Sequence, residues 1–183
     1  EELKATVIYV THDQLEAMTM SDRVAVMNQG KLQQYATPDE VFHHPANTFV
    51  AGFMGSPPMN LIPTNIVQEN DTCNLVGDGF RFTPDSQQIQ SVLRHAPNHK
   101  LILGIRHTGI PLLTSGGIPA QVYTVEPTGD LTFVHVRVGE QLITASTDQM
   151  NVNMRMGDSI GIQFSEKHLH LFDADTSLAL PRS

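Results

Sequence analysis

From Asn60 to Phe172 the chain is a succession of short apolar or alternating runs, each closed by a turn signal, and this spacing leaves few architectures open. The runs are Asn60–Gln68, Thr72–Leu75, Gly79–Phe82, Leu101–Arg106, Ile118–Pro127, Leu131–Val138, Gln141–Ser146, Ser159–Phe164 and His168–Phe172. Between them stand Gly77-Asp78-Gly79, Gly116-Gly117, Gly129-Asp130, Gly139-Glu140 and Gly157-Asp158. Period-two alternation reads as strand, and strands this short with turns this frequent build a small barrel or a sandwich. Asp85–His95 is the exception and predicts a helical turn or two. Trp is absent and aromatics make up only 6%, so the core must be chiefly aliphatic, with Met filling gaps.

A different pattern precedes Ser56-Pro57-Pro58. Thr6-Val7-Ile8-Tyr9-Val10 is apolar and β-branched and predicts a short buried strand, with His12 at its end. Asp13 and Glu16 form a D-x-x-E pair that predicts a capping box opening a helix over Asp13–Met20. A histidine between a strand's carboxyl end and a helix is placed where open α/β sheets bind ligands. Arg23–Asn28 and Lys31–Tyr35 read as a hairpin about Asn28-Gln29-Gly30. Thr37 is the expected N-cap of a short helix, with Pro38 first in it and Glu40 the box partner. A second helix, about Ala46–Met54, should present Phe49, Val50 and Phe53 on one face. The prolines then stop any helix and stiffen the connection. The expected architecture is a mixed α/β remnant over residues 1–55, followed by an all-β, OB-like barrel of short antiparallel, Greek-key strands over 56–183.

Bulk properties narrow the function. The 183 residues carry a net charge of −8, which argues against a nucleic-acid binder, since phosphates must be neutralised by a surplus of Lys and Arg. Cys73 is the only cysteine, so neither an internal disulfide nor a cysteine metal cluster can form, and a reduced thiol is expected. No apolar run approaches the ~20 residues of a membrane-spanning helix. Glu1-Glu2-Leu3-Lys4 lacks the charge pattern of a secretory leader, and a start without Met suggests a piece of a longer protein.

Tyr9–Met18 resembles the switch-histidine segment of ABC-transporter ATPases, most closely those of bacterial sugar importers of the maltose-importer type. Gln14–Arg23 is similar to that family's following helix, Val26–Gln34 to the hairpin closing its nucleotide domain, and Thr37–Phe42, Pro45–Asn47 and Phe49–Gly55 to its two closing helices. Leu103-Gly104-Ile105-Arg106, Val122–Asp130 and Gly157–Asp173 resemble parts of its accessory TOBE barrel, although His107-Thr108-Gly109 stands where many members have Pro-Glu-His.

The resemblance implies that His12 contacts the γ-phosphate of ATP in the full-length parent, which binds ATP and Mg²⁺. It implies two copies of the subunit paired as a homodimer, docked on transmembrane permease subunits at the inner face of the cell membrane, with a barrel able to receive a regulatory protein or small molecule. Residues 1–183 contain no G-x-x-x-x-G-K-[ST] loop, no Ser-Gly-Gly-Gln signature and no aliphatic run ending in Asp-Glu. By itself this stretch is therefore expected to bind no cofactor and to hydrolyse no ATP. It reads as the regulatory and dimerisation end of a sugar-importer ATPase. The alternative is a stand-alone barrel binding a small oxyanion.

Other residues have plainer readings. Asp13 and Glu16 serve the cap rather than acting as a base. His43 and His44 sit at a helix C-terminus, which favours positive charge. His168 and His170 fall on one face of a predicted strand, with no third ligand for a metal. Arg106 is placed to neutralise a carboxylate in or beside the barrel.

Overall fold

The computed structural model describes residues 5–148 and 153–181. The Glu1–Lys4 start lies outside these residues. The first part is built from α1 (Gln14–Met20), the hairpin β1 (Val24–Asn28) and β2 (Lys31–Ala36), α2 (Pro38–His43) and α3 (Thr48–Phe53). Gln29 and Gly30 have φ of 48° and 76°, the two-residue geometry that matches the natural twist of a hairpin. At α2 the capping box forms as expected: the Glu40 N–H donates to Thr37 Oγ1, and the Thr37 N–H donates to Glu40 Oε2. Those bonds hold the Glu40 carboxyl below its ordinary range. Val24, Val26, Val41, Val50 and Met54 form a small core of their own.

Two expectations for this part are corrected. Thr6–Val10 forms no strand, and Val7, Ile8 and Val10 are 79%, 89% and 90% exposed. A strand needs a neighbour for its backbone groups, and no strand among the described residues pairs with it. The second helix is shorter than expected and buries a different face: Val50 and Ala51 are enclosed, while Phe53 stays 44% exposed, stacked on Phe49 with ring centroids 5.7 Å apart.

The remainder is two five-stranded antiparallel sheets sharing one core. One runs in the order β12 (Leu169–Asp173), β6 (Lys100–Ile105), β3 (Asn60–Glu69), β4 (Thr72–Gly77), β5 (Phe80–Phe82). The other runs β10 (Gln141–Thr147), β9 (Thr132–Val138), β8 (Ile118–Pro127), β11 (Ser159–Ile162), β7 (Leu112–Leu113). The chain crosses repeatedly between curled sheets, as in a small OB-like barrel. Ile62, Leu75, Leu103 and Ile105 of the first sheet face Val122, Val134, Val136 and Ile143 of the second. Helix α4 (Gln87–Arg94) adds Ile89 and Leu93 to the same core. A register shift between Val122 and Thr124 breaks the alternation of β8, a bulge of the kind that bends sheets in small barrels. His168 is corrected out of β12: it ends a single 3₁₀ turn, Glu166–His168, and only His170 lies in the strand.

Side-chain amides fasten the pieces. Gln34 accepts from the Ala46 N–H and donates to the His44 carbonyl, holding the link between α2 and α3. Asn60 does the same to Thr144 and also donates to Ile105, so it joins β3 to the outer strand of the opposite sheet. Gln90 of α4 pairs with both backbone groups of Cys73, whose thiol is buried in the core.

Candidate functional site

His12 lies in an exposed bend just before α1, and its imidazole makes no hydrogen bond among the described residues. The bend is built by its neighbours. Asp13 Oδ1 accepts from the N–H groups of Leu15 at 2.8 Å and Glu16 at 3.2 Å, the side-chain cap expected of it. The reciprocal half of the box is absent. The Asp13 N–H donates instead to Thr11 Oγ1 at 2.9 Å, and Thr11 Oγ1 donates to Glu16 Oε2 at 2.7 Å. Tyr9 reaches the same carboxylate, whose charge raises the Tyr9 pKa. Asp13 and Glu16 are thus occupied in shaping the bend, and His12 stands exposed beside them.

One residue beyond the cap, Gln14 grips the exit of α3. Its Oε1 accepts from the Gly55 N–H at 2.8 Å and its Nε2 donates to the Phe53 carbonyl. These partners fix the amide's orientation, because the flipped form would set donor against donor.

Arg106 meets the same short segment from the barrel side. The side chain is 8% exposed and the guanidinium lies 3.7 Å from the Phe42 ring centroid. Nη1 donates to the Met54 carbonyl at 2.7 Å and Nη2 to the Phe42 carbonyl at 2.8 Å. Arg106 therefore neutralises no carboxylate: it satisfies carbonyls at the ends of α2 and α3, where unpaired acceptors and the helix dipole favour a cation. Burial alone lowers its pKa to about 10, so it stays charged at neutral pH. Gly55 has φ +109°, and a Cβ there would come within 2.6 Å of Arg106 Nη1, so glycine is what lets the guanidinium through.

The seam continues on either side of Arg106. Ala51 of α3 packs with Met59 and Phe172. The C-terminal segment lies along it, with the Thr48 N–H donating to Ser177 and the Ala179 N–H to Ala46. Asp173 ties down that segment by accepting from the Thr176 N–H and hydroxyl at 2.7 and 2.8 Å, which lowers its pKa.

His107 is a further residue that sequence motifs did not single out for a role. Its Nδ1 is 2.9 Å from Ser146 Oγ, and its ring stands edge-on to Phe133. Burial first, and Arg106 second, lower its pKa from the ordinary 6.5. The unfolded chain then takes up this proton more readily than the native one, so stability should be complete above pH ~6.5 and decline as pH falls below it. Asp173 acts in the same direction at lower pH: its contribution is present above the ordinary carboxylate value and is lost as pH falls through the lower native one. Guanidinium unfolding midpoints are expected to fall between pH 7.5 and 5.5, and His107→Gln should flatten that part of the profile.

The described residues hold no group of three or more His, Cys, Asp or Glu side chains able to bind a metal ion. None of their helices is long and apolar enough to cross a membrane.

Comparison with known proteins agrees with this architecture. Residues 55–106 match the MalK OB fold domain and residues 103–172 the TOBE domain. The trehalose/maltose import ATP-binding protein MalK of Thermococcus litoralis is 39% identical over 98% of this chain and 50% of its own length. The xylose/arabinose import ATP-binding protein XacK of Haloferax volcanii is 43% identical over 98% of this chain and 47% of its own. For the sn-glycerol-3-phosphate import ATP-binding protein UgpC of Bordetella avium the identity is 39%, over 95% of this chain and 47% of that protein. A solved structure of the molybdate-binding protein ModG overlaps at a TM-score of 0.46 and 14% identity, over 61% of this chain and 94% of that one, a likeness too weak to carry an argument. The MalK OB fold and TOBE matches define the class of the barrel. The chain carries a MalK OB fold domain and a TOBE domain, is 39–43% identical to these import ATP-binding proteins, and spans about half the length of the curated relatives it matches.

Proposed function

We propose that this chain is the regulatory and dimerisation end of an ATP-binding subunit that drives import of a sugar or related solute, and that residues 1–55 and 56–183 are its two working units. The observation that carries the reading is the exposed His12, without a hydrogen bond among the described residues, in a chain whose relatives are named import ATP-binding proteins. His12 donates from an imidazole nitrogen to the γ-phosphate of ATP, a contact that needs no added charge. ATP and Mg²⁺ are held by the part of the subunit that the relatives have beyond this chain's span. In use the subunit pairs with a second copy and docks on permease subunits at the cytoplasmic face of the membrane. An oxyanion-binding barrel is the weaker reading, because it gives the α/β unit and its seam no purpose.

Two observations support pairing through the barrel. β10 is an outermost strand of its sheet, and Leu142 upon it is 53% exposed. Nearby on β8, Tyr123 is 44% exposed, with the Arg137 guanidinium 5.5 Å from its ring centroid. A closed two-fold contact is the commonest way for such a surface to be covered. Light scattering of residues 1–183 at micromolar concentration is expected to give a dimer, and residues 56–183 alone should keep it. A monomer in the first measurement would remove the dimer from the reading. A dimer lost with residues 1–55 would move the contact to the α/β unit.

A further inference from the structure

Two side chains from opposite sides hold the three residues Phe53, Met54 and Gly55. Gln14, next to the His12–Asp13 bend, takes the Phe53 carbonyl and the Gly55 N–H. Arg106, at the end of β6, takes the Met54 carbonyl from within the seam. Gln14 and Gly55 are 41 positions apart, and Met54 and Arg106 are 52 apart. Neither grip is therefore a local consequence of helix or turn formation. No residue of α1 is fully buried; Ala17 and Met18 pack partly against the small core that includes Met54, while the bend that presents His12 lies outside that packing. The Gln14 amide is the direct hydrogen-bonded tie between α1 and the backbone that Arg106 holds.

We propose that Gln14 is a positioning residue for His12, fixing its bend to the Phe53–Gly55 backbone, and that Arg106 extends this fixation to the barrel. The inference rests on the reading of His12 given above. A phosphate contact is effective only if the donor is already in place, since small displacements of a catalytic donor are costly. Coupling of this kind is reciprocal: whatever shifts the barrel at Arg106 alters the energetics at His12 by the same amount that engagement of His12 alters the barrel.

The test is a double-mutant cycle in the full-length ATP-binding subunit assembled with its permease. Gln14→Ala is expected to lower kcat for ATP hydrolysis about tenfold with little change in KM, because the loss falls on positioning in the transition state and not on binding. Gln14→Glu keeps an acceptor for the Gly55 N–H but sets a carboxylate oxygen against the Phe53 carbonyl, so it should not restore the rate that Gln14→Ala loses. Arg106→Lys, which loosens the other grip without touching the bend, should lower kcat about threefold. In a His12→Ala background both changes should have no further effect, since residues that act through a third lose their effect once it is gone. Equal losses with and without His12, or no loss from Gln14→Ala, would overturn the proposal. Unchanged turnover in His12→Ala alone would instead overturn the reading of His12, and the two failures are thereby told apart.

Discussion

Arg106→Ala should destabilise the chain by about 3 kcal/mol, since hydrogen bonds to a charged group contribute about 1.5–3 kcal/mol each and the acceptors left behind are buried at Met54 and half-buried at Phe42. Two such bonds are lost, to Met54 and Phe42, together with the stacking on the Phe42 ring. Carrying this charge out of water is itself costly, as its lowered pKa records. An apolar replacement would be harmless if that cost were the whole account. Arg106→Met separates the two effects: it fills the space and covers Phe42 but donates nothing. Most of the loss is expected to persist in Arg106→Met and to be partly recovered in Arg106→Lys, which keeps one donor. Denaturant unfolding measures the loss, and amide exchange at the α2 and α3 ends should rise with it. A Met variant as stable as the native chain would show that packing, and not satisfaction of the helix-end carbonyls, is what Arg106 supplies.

What could be read from the sequence divides by the distance over which each feature is decided. The Thr37-Pro38-Asp39-Glu40 box closes within a few residues, and it forms as read. The same holds for the Gln29-Gly30 turn. The long strands β3, β8 and β9 were legible because a half-buried strand writes its burial into period-two alternation. Thr6–Val10 has the composition of a buried strand, yet a strand exists only with a partner, and composition carries no record of whether one is present. β7 was missed for the opposite reason: Leu112–Leu113 is too short to show a period, and it is a strand only because Gly161 and Ile162 pair with it. The site follows the same rule. The Asp13 side-chain cap was recognisable from adjacent residues, while the Thr11 hydroxyl that takes the place of the reciprocal Glu16 bond was not. The grips of Gln14 and Arg106 were not, since nothing near a glutamine or an arginine names a backbone carbonyl dozens of positions away. Arg106 could be placed in the barrel, but a cation beside apolar strands suggests a carboxylate partner, and the actual partners are helix ends contributed by the other unit.

Placing His12→Ala in the full-length subunit is expected to lower kcat for ATP hydrolysis about 10²–10³-fold, the usual effect of removing one donor aimed at charge that develops in the transition state. ATP affinity should change by no more than about threefold, because a contact that strengthens chiefly in the transition state contributes little to ground-state binding. The local structure favours a clean result. His12 makes no hydrogen bond among the described residues, while the bend is held by Thr11, Asp13 and Glu16, so truncating the imidazole should leave the bend standing. Thr11→Ala is the matching control. It removes the hydroxyl that links the Asp13 N–H to Glu16 and should disturb the bend with His12 intact. If His12 acts through its position, Thr11→Ala will lower kcat by less than His12→Ala and will again spare ATP affinity. Single-turnover hydrolysis alongside equilibrium binding of a nonhydrolysable ATP analogue separates the two quantities. Undiminished hydrolysis by His12→Ala would take the histidine out of the reaction and leave the bend as no more than the start of a helix.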